Sequence, residues 1–281
     1  MGIEYDLRKV QLTELEVLLE FERICEKYKL PYFLIGGSAI GAVRHGGFIP
    51  WDEDVDVGML RKDYERFLEV CEQELSNKYF LQTYCTDPAY FGQFAKIRVN
   101  KTTFLEVEPS VANPEMHHGI FIDIFPLDHV PDNNVLARLQ YTLVRFLNSI
   151  IHTNGATVHK KTLKNLIKLA YSYPFKLLFS KAKLSRLCTR IASWYNDTRR
   201  VTNFFGRYGF AKETAPREWF GKPVLMEFEG HLLPLPEGWH DYLSQIYGDY
   251  MKLPPEEERG THEIFLVDFE HSFSELGGAN L

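Results

Sequence analysis

The sequence has few cysteines and no long apolar run. The four cysteines, Cys25, Cys71, Cys85 and Cys188, are scattered without a CxxC pair, which favours buried or free thiols over zinc ligands or disulfides. No stretch reaches the ~20 apolar residues that a membrane-spanning helix requires. The first sixteen residues, MGIEYDLRKVQLTELE, also lack the apolar region of a secretory signal. We therefore expect a cytoplasmic protein.

Internal repeats and low-complexity tracts are absent too, so nothing in the sequence suggests disorder. The 281 residues are 45% hydrophobic and 25% charged, values typical of a globular protein with one large domain or two small ones. The net charge of −6 is unevenly distributed. Residues 131–200 hold thirteen Lys or Arg against two acids, a balance of +11, so the rest of the chain carries −17. This polarity indicates an anionic partner.

Apolar spacing predicts a chain of mixed helices and strands. Helices are expected from a capping box of Thr13 and Glu16 to about Tyr28, before Pro31, and again over 61–76. Residues 135–194 also have helical spacing, with basic residues between the apolar ones. Alternating or short apolar runs predict strands. These are YFLIGG at 32–37, FAKIRVN at 94–100, TTFLEVE at 102–108 and GIFIDIF at 119–125.

An unusual acidic cluster lies in the stretch GGSAIGAVRHGGFIPWDEDVDVG, residues 36–58. A calcium loop of the EF-hand type is disfavoured, because Val57 stands where that loop needs glycine and Asp63 where it needs glutamate. A solvated acidic turn would account for Asp52 and Glu53. It would not explain why Asp54 and Asp56 alternate with valines.

A metal site explains this alternation better. On a strand, Asp54 and Asp56 would share one face with Cα atoms about 6.6 Å apart, and together could hold one or two Mg²⁺ ions. The upstream glycines, Gly36 and Gly37, would let the backbone approach closely. Ser38 would add a hydroxyl at the start of a helix, where N–H groups favour phosphate. A third acid, Asp123, lies on the predicted strand GIFIDIF.

A glycine pair with a hydroxyl, an alternating pair of aspartates and a third acid on a later strand together resemble the nucleotidyltransferase superfamily. The longer string LIGGSAIGAVRHGGFIPWDEDVDVGMLRKDYERF resembles the LicD family of phosphocholine transferases, whose core motif fukutin-related proteins share. Ser38 replaces a threonine of that motif and Glu53 an aspartate, each retaining the functional group. The basic middle, 135–200, matches least. Further similar segments are FAKIRVNKTTF at 94–104, HHGIFIDIFPLD at 117–128 and YGDYMKLPPEEERGTHE at 247–263.

The resemblance implies an α/β fold (α+β) with a nucleotidyltransferase-like core, in which a mixed β-sheet is flanked by helices. We divide the chain into a catalytic core at 1–130, a basic helical insert at 131–200 and a C-terminal segment at 201–281 that completes the core. It further implies Mg²⁺- or Mn²⁺-dependent transfer of phosphocholine from CDP-choline to a hydroxyl of a cell-surface glycan, releasing CMP. The acceptor would be of the teichoic acid or lipopolysaccharide type, or its lipid-linked precursor.

Three alternatives remain open on the sequence. The same site could transfer another phospho-alcohol such as ribitol phosphate, or it could transfer a nucleotidyl group. The chain could also be a metal-binding structural or regulatory protein without turnover.

The candidate site residues follow from these patterns. Asp54, Asp56 and Asp123 are predicted to hold the metal and to be catalytic, with Asp123 suited to general-base work. Asp52 could support them or cap a loop. Lys96 and Arg98 share a strand face and suit the diphosphate of the donor, although a solvated face or an ion pair with the aspartates is the alternative.

Several further residues are assigned more openly. Arg44 is expected to hold donor phosphate or to pair with the acids, and the role of His45 is undecided. Trp51 could pack the turn or face the quaternary ammonium of a choline donor, and packing is favoured. The remaining histidines of the similar segments lack metal-ligand spacing and are read as structural; they are His117, His118 and His262.

The basic insert is open to three interpretations: a solvated helical cap, a nucleic-acid surface, or a dock for anionic glycan or membrane. Nucleic acid is disfavoured because the body is acidic and no recognition motif is present. The dock is preferred, at the inner face of the cytoplasmic membrane if the surface is a membrane. Apolar residues there lie beside lysines, as in an interfacial helix: Leu177, Leu178 and Phe179 with Lys176, Lys181 and Lys183.

Overall fold

The computed structural model describes residues 5–153, 162–259 and 263–278. At its centre lies a seven-stranded mixed sheet in the order β1–β2–β6–β4–β3, and β7 pairs with both β6 and β8. Only β2 and β6 run parallel within this sheet; the other described pairings are antiparallel. The strands of the sheet are β1 (Phe33–Leu34), β2 (Asp56–Leu60), β3 (Tyr79–Gln82), β4 (Ala95–Val99), β6 (Phe121–Val130), β7 (Arg200–Thr202) and β8 (Thr214–Pro216).

Two small antiparallel pairs lie outside this sheet. They are β5 (Thr103–Leu105) with β11 (Leu266–Asp268), and β9 (Val224–Phe228) with β10 (His231–Leu235). Helices flank the sheet, which confirms the predicted α/β fold. They are α1 (Leu7–Tyr28), α2 (Gly36–His45), α3 (Arg61–Glu74), α4 (Asn134–Ile151), α5 (Leu163–Leu178), α6 (Lys181–Ala192), α7 (Phe210–Glu213) and α8 (Trp239–Tyr247). Within the described ranges, none of them has the length and apolar character needed to cross a membrane.

The first helix begins earlier than predicted. The carboxylate of Asp6 caps α1 by accepting a hydrogen bond from Lys9 N at 2.9 Å, so the predicted capping box of Thr13 and Glu16 is wrong. Thr13 lies inside the helix, where its hydroxyl donates to the Lys9 carbonyl at 2.8 Å. The amphipathic pattern extends one and a half turns further upstream because Val10 already packs into the core.

Strand β6 is longer than the predicted GIFIDIF segment and runs through Pro126. A proline is tolerated there because β4 pairs with β6 at residues 121–124 and β7 at 128–130, so Pro126 falls between the two partners on that edge. Beyond it, Asp128 is fully buried and accepts hydrogen bonds from Arg61 Nε and Nη2 at 2.6 and 2.7 Å. This buried bidentate pair joins the sheet to the start of α3.

One core joins the N-terminal and C-terminal parts of the chain. Residues of the C-terminal segment pack in the same cluster as α1 and β2, among them Phe220, Phe228, Leu233 and Leu243. The helices of the insert form a second cluster around Val144, Ile150 and Cys188, which Phe204 of the C-terminal segment joins. Most of the described residues from 134 to 192 lie in α4, α5 and α6, and these helices pack mainly on one another.

Candidate active site

A row of three charged side chains crosses the centre of the sheet. Asp56 on β2 is the register partner of Asp123 on β6, and Asp123 is the register partner of Lys96 on β4. Register partners on adjacent strands point to the same face of a sheet, so the three side chains lie side by side. Lys96 Nζ lies 2.6 Å from Asp123 Oδ1 and 3.3 Å from the centre of the Phe121 ring.

Asp54 lies just before this row rather than on a strand. Strand β2 begins at Asp56, which corrects the prediction that both aspartates belong to one strand. The preceding segment nevertheless follows β6, because the Val55 carbonyl accepts a hydrogen bond from Asp123 N at 2.8 Å. Asp52, Asp54, Asp56 and Asp123 all line the same cavity of about 970 Å³.

The first two residues of α2 are glycines that lie against these acids. Gly36 adopts φ +57°, and a Cβ built there would lie 3.0 Å from Asp56 Oδ2. A Cβ at Gly37 would lie 2.6 Å from Asp52 Oδ2, closer than side chains approach one another. The N-terminus of α2 therefore reaches the carboxylates only because both positions lack a side chain.

Ser38 lies near the start of α2, as predicted. It is the third residue of α2, is buried, and its Oγ accepts a hydrogen bond from Asp56 N at 2.8 Å. Ser38 therefore contacts Asp56, the first residue of β2. This hydrogen bond joins the N-terminus of α2 to the strand that carries Asp56, and it would help to position the Asp56 carboxylate.

Burial and mutual repulsion act strongly on the carboxylates. The pKa of Asp56 is raised well above its ordinary value by desolvation and by the charges of Asp54, Asp123 and Asp52. The pKa of Asp123 is raised by desolvation, against which the Lys96 ammonium lowers it. Repulsion of this kind would be relieved by a cation between the acids.

Arg98 lies deeper than its predicted role requires. Its guanidinium is buried, donates to Gln82 Oε1 and to the Gly119 carbonyl, and lies over the Phe121 ring. Desolvation lowers its pKa. Although Arg98 still contributes to the cavity wall, these contacts hold neighbouring strands and loops together, whereas Lys96 reaches the acids directly.

The cavity rim carries Arg44 and Trp51. Arg44 Nη1 donates to the Tyr250 carbonyl at 2.7 Å and Nε to His45 Nε2 at 3.0 Å. Trp51 is half-buried, packs against the core and stacks under the Arg259 guanidinium at 4.7 Å. Both residues line the cavity. Arg44 links α2 to the C-terminal segment, and Trp51 links that segment to the acidic loop, residues 52–55.

His117 and His118 make contacts that fit a structural role. His117 Nε2 is 2.9 Å from Asn100 Oδ1, and its ring stacks on Phe80 at 5.0 Å. His118 Nε2 is 2.8 Å from the Asn113 carbonyl. Burial lowers the pKa of each to about 4, so both are neutral near pH 7. His262 lies outside the described residues.

Aromatic residues that the sequence reading did not single out close the cavity from the C-terminal side. The Tyr242 hydroxyl accepts a hydrogen bond from Gly36 N at 3.4 Å, and the Tyr247 hydroxyl would lie 3.6 Å from a Cβ on Gly36. Tyr208 meets Tyr247 edge to face at 5.1 Å. Only the similarity of the segment YGDY, which begins at Tyr247, hinted at this wall.

Glu14 is a further residue that the sequence did not single out. It is fully buried on α1, and neither carboxyl oxygen has a hydrogen-bond partner among the described residues. Its pKa is raised well above the ordinary value, first by desolvation and then by Asp54, Asp52, Glu53 and Asp123. Glu14 therefore lies behind the acidic loop as a carboxyl group that favours its neutral form.

This burial predicts a pH-dependent stability. The folded state resists ionising Glu14 while the unfolded chain does not, so stability should fall as pH rises above the ordinary pKa of 4.5. In metal-free buffer we expect Glu14→Gln to match the wild type near pH 4 and to exceed its free energy of unfolding by more than about 1 kcal/mol at pH 8. Urea unfolding at both pH values measures this, with exposed Glu26→Gln as control. Equal stability of Glu14→Gln and wild type at pH 8 would count against it.

The carboxylates fit a divalent cation in their chemistry. Among the described residues, no three His, Cys, Asp or Glu side chains converge into a ready metal cluster. Mg²⁺, however, is commonly held by one or two carboxylates together with substrate phosphates and waters. The paired oxygens of Asp56 and Asp123, with Asp54 beside them, are a donor set of that kind. Which of them bind metal stays a prediction.

Comparison with known proteins identifies the family of this chain. A family profile described as "LicD/FKTN/FKRP, nucleotidyltransferase domain" matches residues 29–141, a range that includes strands β1 to β6 and the aspartates of the cavity. The chain is 34% identical to the lipopolysaccharide cholinephosphotransferase LicD of Haemophilus influenzae over 279 residues, 92% of this chain and 96% of that protein. The protein belongs to the LicD family, as the sequence motifs predicted.

More distant relatives share only part of the chain. Human ribitol 5-phosphate transferase FKRP is 29% identical over 109 residues, which cover 39% of this chain and 22% of FKRP. The mouse protein of the same name matches to the same extent. Because the named members of the family are phosphotransferases, this chain is a phosphotransferase as well, which decides against a structural or regulatory role without turnover.

Proposed function

We propose that this enzyme transfers phosphocholine from CDP-choline to a hydroxyl of a cell-surface glycan, or of its lipid-linked precursor, and releases CMP. The observation that carries the proposal is the row Asp56–Asp123–Lys96, which lines one cavity together with the two glycines that begin α2. The relative that aligns over nearly its whole length is a lipopolysaccharide cholinephosphotransferase, which favours a glycan of that type over teichoic acid.

Mg²⁺ or Mn²⁺ would be held by Asp54, Asp56 and Asp123 together with the donor phosphates. When bound, such an ion would neutralise the charge of the diphosphate. Lys96 is placed to hold a phosphate oxygen beside Asp123, and the N–H groups at the start of α2 would bind another. These groups would orient the donor with its phosphocholine end towards the acceptor.

Asp123 would take the proton of the acceptor hydroxyl. The acceptor oxygen then forms a bond to the phosphorus of phosphocholine, while the bond from that phosphorus to the bridging oxygen breaks and CMP leaves with the electron pair. A carboxylate whose pKa is raised by burial suits this work, because its basicity then approaches the working pH. Asp56 would bind the metal and take no part in this proton transfer.

The second candidate is transfer of ribitol phosphate, which the partial match to FKRP favours. The cavity lining argues for choline instead. Tyr208, Tyr242 and Tyr247 present aromatic surfaces, which attract a quaternary ammonium group more than they attract a polyol.

Donor competition separates these candidates. The enzyme is incubated with Mg²⁺, a glycan acceptor and CDP-choline, CDP-ribitol or CTP in turn, with EDTA as the metal control. We expect CMP release and a mass gain of one phosphocholine on the acceptor with CDP-choline alone, and no turnover in EDTA. CMP release with CDP-ribitol would support the second candidate, and pyrophosphate release from CTP would indicate nucleotidyl transfer. Full turnover in EDTA would exclude the metal.

A further inference from the structure

Helix α5 turns an apolar face away from the protein. Six of its residues recur at spacings of three, four and seven positions, and their side chains are 54% to 74% exposed. A surface helix ordinarily turns such a stripe towards the core. We refer to these residues as the outer stripe: Leu163, Leu166, Ile167, Tyr173, Leu177 and Leu178.

The opposite face holds the helix in place. Tyr171 and Phe175 pack on Phe146 of α4 with ring centres 5.5 and 5.6 Å apart, and the Tyr171 hydroxyl lies 2.6 Å from Ser149 Oγ. Ser172 is buried on the same side. Since these contacts fix the rotation of α5, the outer stripe cannot turn inward without breaking them. An exposed apolar stripe of about 24 Å, from sixteen residues at 1.5 Å each, needs a partner.

The positive charge of the surrounding segment limits which kind of partner can cover the stripe. The segment 131–200 that carries the stripe has a balance of +11, and Lys183 is exposed shortly after the end of α5. A second copy of the chain would bring an equal positive charge against it, which disfavours self-association. A soluble glycan would not cover six mainly aliphatic side chains. An anionic lipid surface satisfies both features, because acyl chains cover the stripe and headgroups attract the lysines.

We propose that the outer stripe of α5 inserts into the interface of an anionic membrane. The C-terminal end of α5 lies close to the active site, since Lys176 Nζ donates to the Thr153 carbonyl and His152 lines the cavity. A membrane bound there would lie near the cavity rim, within reach of a lipid-linked acceptor. The membrane contact stands apart from the transfer reaction, so either can fail alone.

Vesicle binding of the full chain tests the proposal. The protein is sedimented with vesicles of phosphatidylglycerol and, separately, of phosphatidylcholine. We expect binding to the anionic vesicles, weakened at least about tenfold when salt rises from about 0.05 M to about 0.5 M. The double variant Leu177→Ser/Leu178→Ser should bind at least about tenfold more weakly. Its matched control is Leu225→Ser/Leu232→Ser on the β9–β10 hairpin, where the leucines are 59% and 63% exposed.

The substituted side chains are exposed, so both double variants should keep the thermal unfolding temperature of the wild type. Absence of vesicle binding, or equal loss in the two double variants, would overturn the proposal. So would binding that is indifferent to headgroup and salt. A dimer in analytical ultracentrifugation that Leu177→Ser/Leu178→Ser converts to monomer, without vesicle binding, would instead make the stripe a contact between copies and would also overturn it.

Discussion

Asp56→Asn is expected to abolish transfer while leaving the protein at least as stable as the wild type. Asp56 lies at the crowded end of the charged row, where burial and the charges of Asp54, Asp123 and Asp52 oppose its ionisation. Removing one of these charges relieves repulsion in the metal-free protein. The same change removes an oxygen ligand of the proposed ion, whose contribution of several kcal/mol corresponds to a loss of roughly 10³-fold or more in kcat.

CMP-release kinetics and thermal unfolding without metal measure the two halves of this expectation. The sign of the stability effect can be worked out from the pKa. Because the pKa of Asp56 is raised in the folded state, the wild type loses stability as pH rises past the ordinary carboxyl value, and the amide does not. The advantage of Asp56→Asn should therefore grow from pH 5 to pH 8. Exposed Asp241→Asn on α8 is the control. Near-normal turnover of Asp56→Asn in Mg²⁺ would refute the metal site.

Asp123→Asn should separate donor binding from transfer. The amide keeps the shape of the carboxyl group but cannot accept the proton of the acceptor hydroxyl. We expect measurable Mg²⁺-dependent binding of CDP-choline, with transfer lowered by roughly 10²-fold or more, the usual scale for losing a general base. Asp54→Asn should lose both donor binding and transfer, because the role of Asp54 would be to hold the metal and, through it, the donor.

The stability of Asp123→Asn should change in the opposite sense from that of Asp56→Asn. Lys96 would lose its partner at 2.6 Å while remaining largely buried, at a cost on the order of 1–3 kcal/mol. Donor calorimetry beside CMP-release kinetics distinguishes the roles, and the double variant Lys96→Met/Asp123→Asn should recover part of the lost stability. Normal transfer by Asp123→Asn would make its role structural, and Asp52 would then be the first candidate for the third carboxylate.

The strand alternation of single segments was enough to predict part of this site. In GIFIDIF the spacing placed Asp123 on a strand, and in FAKIRVN it placed Lys96 and Arg98 on one face. Alternation says which side chains share a face, but not how deeply each is buried. In a central strand with covered faces, Arg98 is enclosed by Gln82 and Gly119, while Lys96 meets the acids.

Register and distant contacts could not be predicted. The pairing of Asp56 with Asp123 depends on how β2 and β6 align, which is set by the packing of both strands. Glu14 gave no signal, because a glutamate in LTELEVLL looks like an ordinary helical surface residue until α1 is docked behind the acidic loop. Tyr242 entered the site only through the tertiary fold, since no local pattern relates it to Gly36.

The contact between Gly36 and Tyr242 also sets an order of events during synthesis. These residues are 206 positions apart, and the carboxylates become enclosed only when the C-terminal tyrosines arrive. At 5–20 residues per second, roughly ten to forty seconds pass on the ribosome between them. Throughout that interval the nascent chain presents its acids without the wall that would hold a donor. A chain released before Tyr242 is made therefore lacks one wall of the cavity, and we expect it to be inactive.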